Sequence, residues 1–289
     1  MANESGILVQ ERPIAAAPST GIHSRFLVAG GIRTHFLEAG SGFPVVLLHS
    51  GEFGGCAELS WEYTIGPLAE HFRVIAPDWA GFGKTEKVFS FEDMWGFRIR
   101  HITAFLQVLG LDSAHFIGNS MGGTLLLQVS ASKPCHWPVK KAVIVSGGGN
   151  IPENPARETL NSYDGSFDHM RRIVETMFMN PQVRADSGYI ERRHKLSQQP
   201  GAWESTAAAR FRAPWRASGA RMPEPPDYSA LAQPILLATG EQDSLREPGF
   251  GPKLQKEIPG AELHVVRNCP HIDAPGEFNT VVLRFLKLR

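Results

Sequence analysis

A serine flanked by glycines separates two apolar runs near the middle of the chain. The run at residues 114–117 is followed by Gly118-Asn119-Ser120-Met121-Gly122 and by a second run at residues 124–129. This order predicts a strand, a sharp turn and a helix, because glycines two residues before and after the serine let strand and helix approach closely. A serine in such a turn has strained backbone angles and an exposed hydroxyl. Taken alone, the pattern is equally compatible with a glycine-softened connection whose serine has no function.

Other apolar runs alternate with helical segments along the chain. Buried strands are predicted at residues 45–48, 72–76, 141–145, 235–239 and 261–266, with helices at residues 63–71, 95–109 and 276–288. This alternation predicts an α/β fold, a mostly parallel sheet with helices on both faces. Before it, β-like runs at residues 24–29 and 32–39 meet at Gly30-Gly31, a dipeptide that favours a hairpin turn because both central positions take positive φ.

The alternation stops between Gly147 and Pro234. Two helical stretches, at residues 167–179 and 187–196, lie inside this gap, which is far too long for a crossover connection. We therefore predict an inserted helical lid at residues 150–232 and a core formed by residues 22–149 and 233–289. Residues 1–21, rich in Ala, Pro, Ser and Thr, are predicted to be a loose N-terminal lead-in.

The composition argues against several classes of partner. Lys plus Arg and Asp plus Glu both count 29, so the formal net charge is zero and neither nucleic acid nor an anionic membrane is indicated. No apolar run is long enough for a membrane span or a secretion signal. The three cysteines, Cys56, Cys135 and Cys269, are far apart. They favour a reducing cytoplasm over a disulfide framework or a zinc site, and we expect neither metal nor cofactor.

Two polar residues follow predicted strands near the C-terminus. Asp243 comes shortly after residues 235–239, and His271 comes shortly after residues 261–266. Ligands gather at the carboxyl ends of parallel strands, and a serine needs a base that a third group holds in place. The order Ser120, Asp243, His271 therefore predicts a catalytic triad. Taken singly, Asp243 is typical of a loop acid, and His271 of a turn residue beside a proline.

Backbone amides must stabilise the negative oxygen that forms when a serine attacks a carbonyl carbon. Met121 follows the serine directly, and Gly51 lies in the glycine-rich loop after residues 45–48. We predict that their amides form the oxyanion hole, although the loop glycines are also expected in any tight bend. Asp78, at another strand end, is interpreted as a cap of the turn that follows it.

Three stretches of the chain match motifs of a known family. They are His-Ser-Gly at residues 49–51, Arg-Val-Ile-Ala-Pro-Asp-Trp-Ala-Gly-Phe-Gly-Lys-Thr at residues 73–85, and Gly-Asn-Ser-Met-Gly-Gly at residues 118–123. On these motifs the chain, from His35 to the C-terminus, resembles the α/β-hydrolase superfamily and, within it, the meta-cleavage product hydrolases. The resemblance implies a serine-dependent enzyme, without a cofactor, that cleaves a carbon–carbon bond in 2-hydroxy-6-oxo-dienoates formed by aromatic ring opening. A small-molecule substrate and a homodimer are implied as well.

Residues 193–201 are similar to an Arg-x3-Ser-x2-Pro-Gly stretch of that family. The resemblance implies that Arg193, with Asn119, binds the carboxylate-enol end of the substrate, a role that suits a guanidinium donating two parallel hydrogen bonds. The run of basic residues at 192–195 is also typical of a solvated helix face. Ser50 stands where the family has a glycine and Ile272 where it has tryptophan, so both are expected to line the site and to alter the substrate.

Two other functions are open from the sequence. A carboxylesterase or lactonase would use the same triad, and the lid supplies aromatic and methionine side chains for an apolar pocket: Met170, Met177, Met179, Trp203, Phe211 and Trp215. A hydrolase-fold ligand-binding protein could retain all three triad residues. Dehalogenases and epoxide hydrolases are disfavoured, because those relatives carry an aspartate at the position of Ser120.

Overall fold

A nine-stranded sheet organises the residues that the structure describes. The computed structural model describes residues 9–10, 21–91, 93–149, 152–210 and 226–288. Its strands are β1 (Val9–Gln10), β2 (His23–Ala29), β3 (Ile32–Ala39), β4 (Pro44–Leu48), β5 (Arg73–Pro77), β6 (Ala114–Asn119), β7 (Val139–Val145), β8 (Ile235–Gly240) and β9 (Glu262–Val266). They lie in the order β1-β2-β3-β5-β4-β6-β7-β8-β9.

The sheet is antiparallel at one edge and parallel elsewhere. The pairs β1–β2, β2–β3 and β3–β5 are antiparallel, and all pairs from β5 to β9 are parallel. Gly30 and Gly31, at the hairpin between β2 and β3, have φ of 57° and 81°. Each strand predicted from an apolar run is present with ends shifted by at most two residues, which confirms the predicted α/β architecture.

Helices cover both faces of the sheet. They are α1 (Ala57–Trp61), α2 (Ile65–Ala69), α3 (Met94–Val108), α4 (Met121–Ser130), α5 (Pro155–Asn161), α6 (Phe167–Met177), α7 (Pro181–Ala185), α8 (Ser187–Ser197), α9 (Ala202–Ala208), α10 (Phe250–Glu257), α11 (Pro270–Asp273) and α12 (Pro275–Lys287). Side chains alternate along each strand, so Val46 belongs to an apolar cluster that includes residues of α3, α4 and α10, whereas Val45 belongs to one that includes residues of α1, α2 and α12. Burial on both faces explains why the strands read as unbroken apolar runs.

The helix predicted at residues 63–71 is wrong in its bounds. The structure has a shorter helix there, α2, and a separate helix, α1, just before it. Pro67 lies in the first turn of α2, where its missing N–H is tolerated. In one continuous helix from Ala57, that N–H would have to bond the carbonyl of Tyr63, so the proline requires a break.

Helices α5 to α9 form the described part of the insertion between β7 and β8. They enclose a third apolar cluster with the loop after β4 and with Ile272. Asp273, at the end of α11, attaches this layer to the core by accepting from the amides of Met179 and Asn180, at 3.1 and 2.8 Å. Residues 150–151 and 211–225, including Phe211 and Trp215, and the predicted lead-in apart from residues 9–10 and 21, lie outside the described residues.

Neither a membrane span nor a metal cluster is found in the described ranges. Among these residues, no helix is both long and apolar enough to cross a bilayer. Within the same ranges, no three or more His, Cys, Asp or Glu side chains are grouped to hold a metal ion.

Asp78, directly after β5, holds together the loops at the carboxyl end of the sheet. Its carboxylate accepts from the amides of Ala57 (2.7 Å) and Lys84 (2.9 Å) and lies 2.7 Å from Nδ1 of His35. The bond from Lys84 is the turn cap that the sequence indicated. Burial alone would raise the pKa of Asp78, but His35 and the other donors lower it to about 2. The carboxylate therefore stays ionised and fully bonded.

We expect Asp78→Ala to lower the free energy of unfolding by about 3–5 kcal/mol, because it leaves His35 and two buried amides without their acceptor. Denaturant unfolding measures the loss. Asp93→Ala is the matched control: Asp93 caps α3 by accepting from the amide of Gly96, and its side chain is 59% exposed. That variant should lower the free energy of unfolding by only about 1 kcal/mol. Equal losses in the two variants would contradict the role given to Asp78.

Candidate active site

Ser120 occupies a strained turn between β6 and α4. Its φ is 50° and its ψ is −109°, in a region that costs a non-glycine residue about 1–3 kcal/mol. The turn is held by two backbone bonds, from the Ser120 amide to the carbonyl of Val145 (2.8 Å) and from the Thr124 amide to the carbonyl of Ser120 (2.9 Å). Strain kept in place by such bonds is typical of a functional position.

The neighbouring glycines make this turn possible. A Cβ on Gly122 would collide with the carbonyl oxygen of Leu48, at the end of β4. A Cβ on Gly118 would come within 2.6 Å of the backbone of Gly122. The strand, turn and helix predicted from the sequence are therefore present, and they place Ser120 at the carboxyl end of the sheet.

A cavity of about 530 Å³ opens above Ser120. All nine residues predicted for the site line it: Ser50, Gly51, Asn119, Ser120, Met121, Arg193, Asp243, His271 and Ile272. They come from the ends of four strands and from the inserted helices. The fold thus brings together side chains that are far apart in the chain.

His271 is held by Asn119. Its Nε2 lies 3.1 Å from Nδ2 of Asn119, and its Nδ1 lies 3.6 Å from Sγ of Cys269. Because the amide nitrogen of Asn119 can only donate, Nε2 must accept, which assigns the ring proton to Nδ1. This is the tautomer that a base acting through Nε2 requires.

The three predicted triad residues line the same cavity, but the hydrogen bonds expected between the members of a triad are not formed. Within the described residues, neither Ser120 nor Asp243 is hydrogen-bonded to His271. The carboxylate of Asp243 instead accepts from the amide of Leu245, at 3.0 Å. Burial, and then the charges of Asp273 and Asp243, raise the pKa of the Cys269 thiol, and this thiol lies beside the ring of His271.

Burial makes His271 a neutral base. It lowers the pKa of the imidazole to about 3, and the nearby Glu52 opposes this only in part. The ring is packed against Trp61, with centroids 4.9 Å apart. A neutral imidazole is able to take a proton from a serine hydroxyl.

Gly51 and Met121, whose amides were predicted to form the oxyanion hole, are neighbours in space. A Cβ on Gly51 would lie 2.5 Å from Sδ of Met121. The loop before Gly51 is anchored by His49, whose Nδ1 donates to the carbonyl of Ser50 (2.6 Å) and whose Nε2 accepts from the amide of Trp79 (3.1 Å). The position of both residues is compatible with a shared oxyanion.

Glu52 is a site residue that the sequence reasoning missed. Its carboxylate lies 2.7 Å from Nη2 of Arg193 and accepts from Oγ of Ser50 at 2.7 Å. Burial would raise the pKa of Glu52, but Arg193 outweighs it and lowers the value. An acidic residue among the glycines after a buried strand was the available signal.

The two adjacent arginines on α8 differ in environment. Arg193 is 1% exposed and faces the cavity. Arg192 is partly exposed and pairs with Glu62 at 2.8 Å. The basic run at residues 192–195 is thus not a uniformly solvated face.

Arg98 and Arg210 also line the cavity and were likewise missed. Nη1 of Arg98 lies 2.9 Å from Sδ of Met121, and Nη2 of Arg210 donates to the carbonyl of Gly51 at 3.0 Å. Arg98 lies one helical turn from Met94 and from Ile102, on the buried stripe of α3. A cation on an apolar stripe was the signal in the sequence.

Of the four described lid side chains that the sequence offered for an apolar pocket, Met177 lines the cavity, whereas Met170 is fully buried within the lid's own cluster. Leu160, Phe178 and Tyr189 of the lid line the cavity as well. Trp203 and Met179 are 41% and 38% exposed. Ile272 lines the cavity and packs against the lid cluster.

Comparison with known proteins gives the family. The model of the alpha/beta hydrolase fold family matches residues 44–276. A 2-hydroxy-6-oxo-6-(2'-aminophenyl)hexa-2,4-dienoic acid hydrolase from Metapseudomonas resinovorans is 30% identical over 92% of this chain and 91% of its own. A 2-hydroxymuconate semialdehyde hydrolase from Pseudomonas sp. strain CF600 is 31% identical over 91% of this chain and 93% of its own. The chain belongs to the meta-cleavage product hydrolases of the α/β-hydrolase fold.

Solved structures agree with this assignment. A meta-cleavage product hydrolase from Pseudomonas fluorescens IP01 is similar with a TM-score of 0.79 and 27% identity, over 90% of this chain and 96% of that one. A serine hydrolase involved in carbazole degradation has a TM-score of 0.77 and 28% identity, over 93% of this hydrolase and 100% of that chain.

The pKa of His271 predicts an unusual pH dependence. With a neutral aryl ester, we expect kcat/KM to stay level as the pH falls through about 6.5, the ordinary histidine value, since folded His271 protonates only near pH 3. Protonation then favours the unfolded chain, whose histidine binds protons more tightly, so stability falls as the pH drops from about 6.5 toward 3. Initial rates and thermal unfolding over the same pH series measure both effects. An acid limb centred near pH 6.5 in a protein that is still folded would contradict this assignment.

Proposed function

We propose that this hydrolase cleaves a carbon–carbon bond in 2-hydroxy-6-oxo-dienoate-type meta-cleavage products of aromatic catabolism, with Ser120 as nucleophile and His271 as base. One observation carries the proposal: the strained serine and the neutral histidine share a single cavity with the buried guanidinium of Arg193. Guanidinium suits the carboxylate end of such a dienoate. The names of the two relatives at 30% and 31% identity support the same substrate class.

In the proposed mechanism His271 first assists ketonisation of the dienol, moving a proton to the carbon next to the distal ketone. The ring then turns from Asn119 to Ser120 and accepts the hydroxyl proton as Oγ bonds to the ketone carbon. The amides of Met121 and Gly51 stabilise the resulting oxyanion. The carbon–carbon bond breaks, and its electron pair delocalises into a dienolate that takes the proton from the imidazolium of His271. Neutral His271 then accepts a proton from water, which attacks the acyl group, and it returns that proton to Oγ of Ser120 as the carboxylic acid leaves. Asp243 would orient the imidazolium that forms along this path.

Glu52 sets the orientation of Arg193 in this proposal. One amino group of the guanidinium is taken by Glu52, and within the described residues the Nε of Arg193 is buried without a hydrogen-bond partner. Arg193 thus keeps unused donor capacity for a substrate carboxylate, and Asn119 at the end of β6 supplies a second polar contact. Ser50 acts on the substrate through Glu52, and Ile272 limits the volume of the cavity.

The purified protein should bleach at least one yellow ring-fission product and release its carboxylic acid, and Ser120→Ala should abolish release of the acid at unchanged fold. Absorbance spectroscopy follows the bleaching, and chromatography of the products follows the acid. A fluorophosphonate should label the protein covalently and fail to label Ser120→Ala, which separates an enzyme from a hydrolase-fold ligand-binding protein. Rapid hydrolysis of a simple aryl ester without bleaching of any ring-fission product would overturn the proposal.

A carboxylesterase or lactonase is the second candidate function. The observation that favours it is the Glu52–Arg193 pair, because an internal counter-ion reduces the positive charge offered to an acidic substrate. The same nucleophile, base and oxyanion amides would serve an ester.

Charge removal at Arg193 distinguishes the two functions. For a carbon–carbon hydrolase, Arg193→Gln should lower kcat/KM for an acidic dienoate, relative to a neutral aryl ester, by about 10- to 100-fold, the worth of hydrogen bonds to a charged group. The double variant Glu52→Gln with Arg193→Gln leaves no uncompensated buried charge and should show the same loss. Arg192→Gln is the control, since its charge lies outside the cavity. Equal effects of the Arg193 and Arg192 variants would favour the esterase.

We also propose a cytoplasmic location and a homodimer. All three cysteines are free thiols, which fits a reducing compartment. The homodimer is supported by the family resemblance alone.

A further inference from the structure

We propose that Arg98 and Arg210 form a second anion subsite, beside the oxyanion residues, that binds an acidic group on the distal part of the substrate. The inference rests on the proposed function and narrows it to substrates with an acid at both ends.

The two arginines flank the place where the distal ketone would react. Arg98 contacts the side chain of Met121, and Arg210 bonds the carbonyl of Gly51. These are the residues whose amides would hold the ketone oxygen. With the dienoate end at Arg193 and Asn119, the substituent beyond the ketone is the part of the substrate closest to Arg98 and Arg210.

Neither guanidinium is neutralised within the protein. In the ranges that the structure describes, Arg98 and Arg210 form no ion pair, and Nε of Arg98 is buried without a hydrogen-bond partner. Arg98 is only 4% exposed. Arg210 is partly exposed, and its nitrogens donate to neutral acceptors, the carbonyls of Gly51 and Thr206 and Oδ1 of Asn161. The charge of Glu52 acts on Arg210, but that carboxylate already bonds Arg193 and Ser50. A buried charge without a counter-ion is strongly unfavourable, so Arg98, with Arg210 as a second cation, is suited to an anion that arrives from the cavity.

The two cations also repel each other. Burial, followed by the charge of Arg210, lowers the pKa of Arg98 to about 9. Burial lowers the pKa of Arg210 to about 10, with Glu52 opposing the change. A carboxylate bound to both would relieve burial and repulsion together and would accept charge-assisted hydrogen bonds.

Packing alone does not explain why position 98 carries an arginine. The Met121 sulfur and the Phe82 ring, 5.3 Å from the guanidinium, provide contacts for its stem and head. An apolar side chain of the same length would make those contacts on the buried stripe of α3 without burying a charge. The other arginines that line the cavity have charge or carbonyl partners within the protein: Arg193 pairs with Glu52, Arg157 with Glu153, and Arg246 donates to the carbonyls of Ser146 and Gly148.

The test compares two ring-fission products that differ only in whether the distal substituent ends in a carboxylate or a methyl group. The wild-type protein should prefer the acidic product by at least about tenfold in kcat/KM, and Arg98→Met or Arg210→Met should lower that preference by about tenfold or more. Arg100→Met is the control on the same helix, because Arg100 is 67% exposed and pairs with Asp93. It should leave the preference unchanged. A wild-type preference near one, or equal losses on both products in the Arg98 and Arg210 variants, would overturn the subsite.

A second assay separates this inference from the carbon–carbon reaction. Mono-p-nitrophenyl glutarate and p-nitrophenyl valerate form an acidic and a neutral ester pair that needs only the serine. An Arg98-dependent preference for the glutarate ester, without cleavage of any ring-fission product, would support the subsite and overturn the proposed function. Cleavage of ring-fission products without a preference for the acidic compounds would support the proposed function and overturn the subsite. If no compound is cleaved, calorimetric titration with glutarate decides: saturable binding weakened in Arg98→Met supports the subsite, and no binding overturns it.

Discussion

The close approach of three backbones at Ser120 is the constraint on which the rest of the site depends. The end of β4, the end of β6 and the start of α4 come so near that a single Cβ at Gly118 or Gly122 would collide with main chain. This approach forces Ser120 into the left-handed region and keeps its hydroxyl at the carboxyl end of a sheet buried on both faces. The energy of that core, set against a strain of about 1–3 kcal/mol, holds the nucleophile in place.

Charges arranged around the cavity set what this scaffold can bind. Glu52, in the loop after β4, pairs with Arg193 on α8 in a buried contact that joins core and lid. Arg98 contacts the sulfur of Met121 and Arg210 donates to the carbonyl of Gly51, and among the described residues neither has an acidic partner. Arg193 thus has an acidic partner within the protein, whereas Arg98 and Arg210 have none among the described residues. A buried cation without an acidic partner favours the binding of an anionic ligand.

Much of the fold and the composition of the site could be predicted from the sequence. Apolar runs and glycines report local geometry directly, and strand-end positions of a parallel sheet converge, so Asp243 and His271 were found from order and position alone. The hydrogen-bond partners of these two residues could not be predicted. His271 is held by Asn119 and neighbours Cys269, and rotamers of buried side chains depend on packing from several elements at once. Helices α5, α7 and α9 were missed because each is only five to seven residues long and carries little periodic signal.

By itself, the sequence determined the strand, turn and helix at Ser120, the parallel sheet and the chain order of the three polar residues, because these follow from local backbone chemistry and from the alternation of apolar runs. Only the tertiary structure decided which charges compensate each other. Glu52 and Arg193, like Arg98 and Arg210, are far apart in the chain, and a charge's partner is set by which side chains share a low-dielectric space. The lid creates that space when it folds back over the carboxyl end of the sheet.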